Sequence, residues 1–348
     1  MKPAGLEDDL VVETPLGLYC PEGDFYIDPW RPVDRAVITH AHADHARRGC
    51  MRYLASARSE GVLRARLGVD IELTALDWAE VVEHRGVRIS LHPAGHVLGA
   101  AQVRLERRGR VWVVSGDYFL SEHDERNPTC DPWEPVHCEC FITESTFGLP
   151  IYRWQPQARV FEEINHWWAH NRSAGRASLL MAYSFGKAQR ILAGVDASIG
   201  PIVVHGSVEP LNEGYRRAGV ALPAVHRVQD LGKSDLAGAL VVAPPSVQGS
   251  PWLKRFGSYS DAFASGWMQL RGARRRRSID RGFVLSDHAD WPGLQRAISA
   301  SGAHRVIVTH GYEAAMVRWL SEQGLQAGSF KTAFEGEGGG ESAGESYA

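Results

Sequence analysis

Three imidazoles and one carboxylate fall within the six positions His40-Ala41-His42-Ala43-Asp44-His45. Protonated, such a cluster repels itself, and buried alone it gains little. Neutral imidazole and carboxylate are, however, nitrogen and oxygen ligands for divalent cations. In a tight turn His40 and His42 can face one ion while Asp44 and His45 face another. Further ligand types stand downstream: His96 in the Gly-flanked turn Pro93-Ala94-Gly95-His96-Val97-Leu98-Gly99, Asp117 in Ser115-Gly116-Asp117 and His310 in Thr309-His310-Gly311. Each of these three is unremarkable by itself; with the first motif they read as a set for two divalent metal ions. Zinc suits these donors and manganese also fits. Two cations a few ångströms apart suit phosphodiester hydrolysis, where water is a poor nucleophile and the phosphate repels anions.

The elements that must position these residues are legible as well. Ala36–Thr39, Val111–Ser115 and Arg305–Thr309 are short, apolar and β-rich. They run into His40, Asp117 and His310 respectively, so the site belongs along one rim of a sheet. Residues 158–170 and 186–194 carry helical patterns with apolar faces, and 201–206 and 238–243 read as strands. This alternation predicts a compact α/β insertion over about residues 150–280, after which the first sheet is expected to resume with Phe283-Val284-Leu285 and 305–309. The Gly/Glu/Ser-rich tail 335–348 reads as disordered.

The order H-x-H-x-D-H, a distant His, Gly-Asp and a final His resembles the metallo-β-lactamase superfamily. The resemblance implies an αββα sandwich with a dinuclear site: His40, His42 and His96 on one metal, Asp44, His45 and His310 on the other, and Asp117 bridging. Asp28, in Tyr26-Ile27-Asp28-Pro29, matches an early Asp that supports the ligands from behind. Ile142–Gly148 (ITESTFG), Ala182–Gln189 (AYSFGKAQ), Leu285–Asp290 (LSDHAD) and Val308–Gly311 (VTHG) are similar to the motifs of the β-CASP nucleases, in order, over about residues 20–330. The architecture implied is a metallo-β-lactamase domain in two parts, 1–150 and 283–334, around a β-CASP insertion at 151–282. Thr146–Trp154, Phe263–Met268 and Ser286–Trp291 resemble the bacterial ligase-associated DNA exonuclease branch. That branch implies DNA repair alongside an ATP-dependent DNA ligase and a helicase. In the last motif, DNA-acting members of the Artemis type carry Val and RNA-acting members His, so His310 by itself points to a ribonuclease.

Within this frame His288 is the candidate to serve the leaving oxygen, with Glu144 orienting it and raising its basicity. Ser184, Gly186 and Lys187 open a predicted helix whose amides and dipole favour a phosphate, and Ser286 is a further phosphate contact. Arg271, Arg274, Arg275, Arg276 and Arg277 read as a strand-tracking patch. The overall charge is −3, yet residues 254–287 hold eight basic and three acidic side chains, a local excess that matters more for a polyanion than the total. Tyr152, Trp154, Trp267 and Trp291 are read as core aromatics before base-stacking ones.

No apolar run approaches the roughly 18 residues that cross a bilayer, and no signal-peptide pattern opens the chain, so a cytoplasmic location is expected. Five cysteines, an odd number, argue against a disulfide framework. Cys130, Cys138 and Cys140 lack paired C-x-x-C spacing and read as buried thiols rather than a zinc site. A small-molecule hydrolase of the lactamase type is disfavoured by the insertion and the arginine run.

Overall fold

The computed structural model describes residues 9–120, 127–270, 272 and 279–331. Arg271, Arg274–Arg277 and the 335–348 tail lie outside the described residues. The chain divides into two compact units, one of residues 1–120, 130–151 and 288–342, the other chiefly of residues 152–287. No helix among the described residues is long and apolar enough to cross a membrane.

The first unit is built on two sheets. One has the order β1 (Val12–Thr14), β2 (Gly17–Cys20), β3 (Phe25–Ile27), β4 (Arg35–Val37), β5 (Arg52–Ser56), β6 (Leu73–Leu76). The other comprises β7 (Val81–His84), β8 (Val87–Pro93), β9 (Ala101–Arg107), β10 (Arg110–Val114), β11 (Cys140–Glu144), β17 (Arg305–Thr309) and β18 (Gln326–Ser329), in the order β18-β17-β11-β10-β9-β8-β7. Leu18, Phe25, Ile27 and Val37 from the first sheet share one core cluster with Leu91, Val103, Trp112, Ile142 and Ile307 from the second. Trp112 is fully buried, its indole N–H donating to Glu139 Oε1 at 2.9 Å.

Strand direction explains where chemistry can gather. β10, β11 and β17 run parallel, with Val114 opposite Ile142 and Glu144 opposite Thr309. Their carboxyl ends therefore deliver Asp117, Glu144 and His310 to one edge, where open α/β sheets place their ligands. β4 ends two residues before Thr39-His40.

The second unit holds an all-parallel sheet of β12 (Ala177–Met181), β13 (Ile202–Val204), β14 (Leu240–Ala243), β15 (Tyr259–Ala264) and β16 (Arg281–Phe283), in the order β13-β14-β12-β15-β16. β12, β13 and β14 are buried at every position, as expected of strands covered on both faces. The helices Gln157–Ser173 and Lys187–Gly194 fall where the apolar periodicity places them. One expectation is corrected. Phe283 does not resume the first sheet; β16 pairs with β15, aligning Ala264 with Phe283, and Phe283 packs into the core of the second unit. A three-residue apolar run carries no information about which sheet accepts it, because the choice rests on hydrogen bonding to a distant strand.

Candidate metal centre

Asp28 organises the loop after β4. Its Oδ1 accepts the Thr39 backbone N–H at 2.8 Å, and its Oδ2 accepts the Thr39 hydroxyl at 2.5 Å and His45 Nδ1 at 2.7 Å. With Nδ1 engaged, His45 presents Nε2 at 3.4 Å from Asp117 Oδ2 and 3.8 Å from Asp44 Oδ2. The His310 ring stacks on His45 with centroids 5.5 Å apart. Asp44, His45, Asp117 and His310 line one small cavity together with Asp28 and Trp30.

A second cluster adjoins it through Asp117. His42 Nδ1 lies 3.0 Å from His40 Nε2 and 3.2 Å from His96 Nε2. Asp117 Oδ2 lies 3.6 Å from His40 Nε2 and 3.9 Å from His96 Nε2. One ligand atom from each of His40, His42, His96 and Asp117 falls within 4.8 Å of all the others.

The donors fit divalent cations on three counts. Nitrogens sharing a cation at about 2.0–2.1 Å in tetrahedral geometry stand roughly 3.3 Å apart, close to the separations at His42. His45 Nε2 and His310 Nδ1 are buried without a hydrogen-bond partner among the described residues, a costly state for a polar atom unless an ion or other partner satisfies it. Burial also lowers the pKa of His40 and of His310, favouring the neutral, ligating form. His45 differs: burial opposes its charge, but Asp117, Asp44 and Asp28 outweigh burial and hold its pKa well above the ordinary value. Asp117 is buried too, which favours its neutral form, yet His45 and His288 keep the carboxyl well below its usual range.

Two backbone positions carry strain here. Asp28 and His310 have φ of +46° and +55° without being glycine. Such conformations cost free energy and persist where the surroundings over-determine them. At Gly311, φ is +78° and an added Cβ would stand 2.3 Å from the Ser145 carbonyl oxygen. The Ser145 hydroxyl in turn donates to the His310 carbonyl.

Glu144, at the end of β11, is buried with both oxygens engaged. Oε1 accepts the Tyr118 backbone N–H at 2.8 Å, and Oε2 accepts the Thr146 hydroxyl at 2.5 Å. His288 Nδ1 approaches Oε2 at 2.8 Å, and the His288 ring lies 4.5 Å from that of His96. A carboxylate on Nδ1 fixes the tautomer, so a proton exchanged by this ring moves at Nε2.

These distances, together with the relatives, decide the family. No family model matches the chain. Over 314 residues it is 32% identical to a protein named probable DNA ligase from Opitutus terrae, covering 89% of this chain and 30% of that protein. Over 126 residues it is 30% identical to endoribonuclease ysh1 of Schizosaccharomyces pombe, covering 36% of this chain and 16% of the relative. Over 144 residues it is 26% identical to cleavage and polyadenylation specificity factor subunit 3 of Dictyostelium discoideum, covering 40% and 18%. The chain belongs to the β-CASP group of the metallo-β-lactamase superfamily. It spans less than a third of the length of each of these relatives. A solved structure of a protein of unknown function from Enterococcus faecalis shares the fold, with a TM-score of 0.52 at 13% identity over 79% of this chain and 74% of that one.

For a β-CASP chain, several side chains behave differently from their sequence reading. Lys187 is buried and its ammonium is paired with Asp287, because a charge removed from water needs a counter-charge. The Gly186 N–H is taken by Gln189 Oε1 at 2.8 Å, so neither group has the exposed, open character expected of a phosphate-binding helix start. Ser184 is buried and shares a 2.8 Å hydrogen bond with Ser207. The Ser286 carbonyl accepts Arg190 Nη1 at 2.6 Å. Tyr152 is fully buried, with its ring 6.0 Å from Trp154 and 5.8 Å from Trp267; Trp291 lies 5.2 Å from Trp319. Cys138 and Cys140 have their thiols pushed up to about 12 by burial, and no candidate metal group among the described residues uses a cysteine. Thr39 and Ser145 are the residues that sequence reasoning missed. Thr39 directly precedes His40, so its position was in view; Ser145 acts on a loop 165 residues away, for which no local signal exists.

Proposed function

We propose that the chain is a metal-dependent phosphodiesterase acting on DNA, an exonuclease of DNA repair. In this reading the first unit is an αββα sandwich and the second unit, chiefly residues 152–287, is a β-CASP insertion. The observation that carries it is the gathering of His40, His42, His96 and Asp117 within 4.8 Å, beside the buried His288–Glu144 pair. When bound, two divalent cations, zinc by preference, supply an activated water and offset the charge growing on the phosphoryl group. Asp117, which adjoins both clusters, would be the ligand available to both ions, and Asp28 would hold His45 in its ligating orientation. His288 gives a proton to the leaving oxygen from Nε2, with Glu144 holding the ring by Nδ1. Arg271 and Arg274–Arg277 contact the strand, and Ser184 and Ser286 are further candidates. The match to a protein named probable DNA ligase supports a link with a DNA ligase; an ATP-dependent ligase and a helicase as partners, and a cytoplasmic location, are part of the proposal.

A second reading, a ribonuclease using the same residues, is favoured by His310 and by the relatives named endoribonucleases. End-labelled DNA and RNA of one sequence, incubated with metal-loaded protein, separate the two. Stepwise shortening of DNA from an end is expected. Faster loss of RNA, or cuts only at internal positions, would overturn the DNA exonuclease reading.

A further inference from the structure

The arginines around the histidine loop are not alike. Arg52, Arg58 and Arg64 each have a carboxylate partner, in Asp34, Asp131 and Glu60. Arg48 and Arg66 have none among the described residues; both donate to backbone carbonyls instead. Arg66, in the last turn of the helix α1 (Glu60–Leu67), donates to the carbonyl of Ala41, the residue between His40 and His42. Arg48 donates through Nε and Nη2 to the Arg66 carbonyl at 2.8 and 2.5 Å. Arg48 is exposed and Arg66 half-buried.

A carbonyl orients a guanidinium without cancelling its charge. Arg48 spends two N–H groups in these bonds and Arg66 one, out of the five each fork carries. The forks are thus held in place, keep their full charge and retain donors, so less side-chain entropy is lost when an anion binds. Both are tied, directly or in relay, to the loop that carries His40 and His42. A polyanion brought to that loop meets two fixed positive charges that no carboxylate among the described residues pairs with.

We propose that Arg48 and Arg66 form a phosphate-binding ridge beside the metal loop, gripping the backbone of a nucleic-acid strand independently of base sequence. The ridge rests on the nuclease reading for its ligand and deepens it by naming strand contacts in the first unit, distinct from residues 271–277.

The test uses the full, metal-loaded chain and the variants Arg48→Gln, Arg66→Gln and the double variant. Glutamine removes the charge but keeps an N–H for the carbonyl. Binding of a fluorescent phosphorothioate oligothymidylate is followed by anisotropy across a salt series, and metal content by elemental analysis. A cation that neutralises one phosphate of a single strand adds about 0.7 to the log–log salt slope. Each single variant should therefore have a slope shallower by about 0.7, and the double variant by about 1.4, with metal content at the wild-type level. An unchanged slope in the double variant would overturn the ridge. So would affinity that falls only in step with metal content, which would make the two arginines braces for the loop. Arg48→Gln keeps the test open if Arg66→Gln folds poorly, since Arg48 is exposed. Binding is read without turnover, so a chain that grips the strand through these arginines yet cleaves no phosphodiester would refute the nuclease reading and leave the ridge standing.

Discussion

Glu144 and His288 are 144 residues apart in the chain, yet His288 Nδ1 bridges both Glu144 oxygens, at 2.8 and 3.1 Å, with both side chains buried in the first unit. The carboxylate is itself anchored by Tyr118 and Thr146, so the imidazole is held by a rigid partner. His288→Ala is therefore expected to keep its metal and lose turnover by about 10²–10⁴-fold. A substrate with a much better leaving group should suffer less, because it needs no proton. Equal losses on both substrates would assign His288 another task.

Two divalent ions per chain are expected by elemental analysis of the purified protein. Asp28→Ala removes the acceptor that aims His45, and such supporting groups are worth about 10–100-fold in metal affinity. Metal titration should show that loss. Wild-type affinity in the variant would mean that packing alone aims the ring.

Gly311→Ala places a methyl group against the Ser145 carbonyl at a positive φ. The loop must shift, and His310 with it. The expected result is a chain that folds, by circular dichroism, but holds less metal. Full metal occupancy would show that the His310 loop relaxes without cost to the site.

The Lys187–Asp287 pair is buried on both sides. Lys187→Met takes the ammonium away from a buried carboxylate, a loss of about 3–5 kcal/mol for a broken buried pair. Adding Asp287→Leu should recover much of it, since apolar replacements of similar volume are often neutral. Thermal unfolding of both variants checks this; a double variant no better than the single would place the cost in packing instead.

Arg274, Arg275, Arg276 and Arg277 are expected to contact the strand. Replacing all four with Ala should weaken binding to every sequence alike and flatten the salt dependence, by about 0.7 in log–log slope for each of the four that neutralises a phosphate. Selective weakening for some sequences would point to base recognition.

The sequence by itself determined the donor types and their order. His40, His42, Asp44, His45, His96, Asp117 and His310 could be named because ligand chemistry depends on side-chain identity and on local strand–turn patterns, both of which are written locally. The strands before His40, Asp117 and His310 were visible for the same reason. Only the tertiary structure decided which groups satisfy one another. Lys187 and Gly186 looked like phosphate binders from a helix start, but burial turned the lysine to Asp287 and the amide to Gln189. β16 looked like a return to the first sheet and joined β15 in the second. Thr39 and Ser145 gained their roles from Asp28 and His310, partners 11 and 165 residues away. A pairing of this kind depends on strand register and on the cost of leaving a buried polar group unsatisfied, and those are set by the packed chain as a whole.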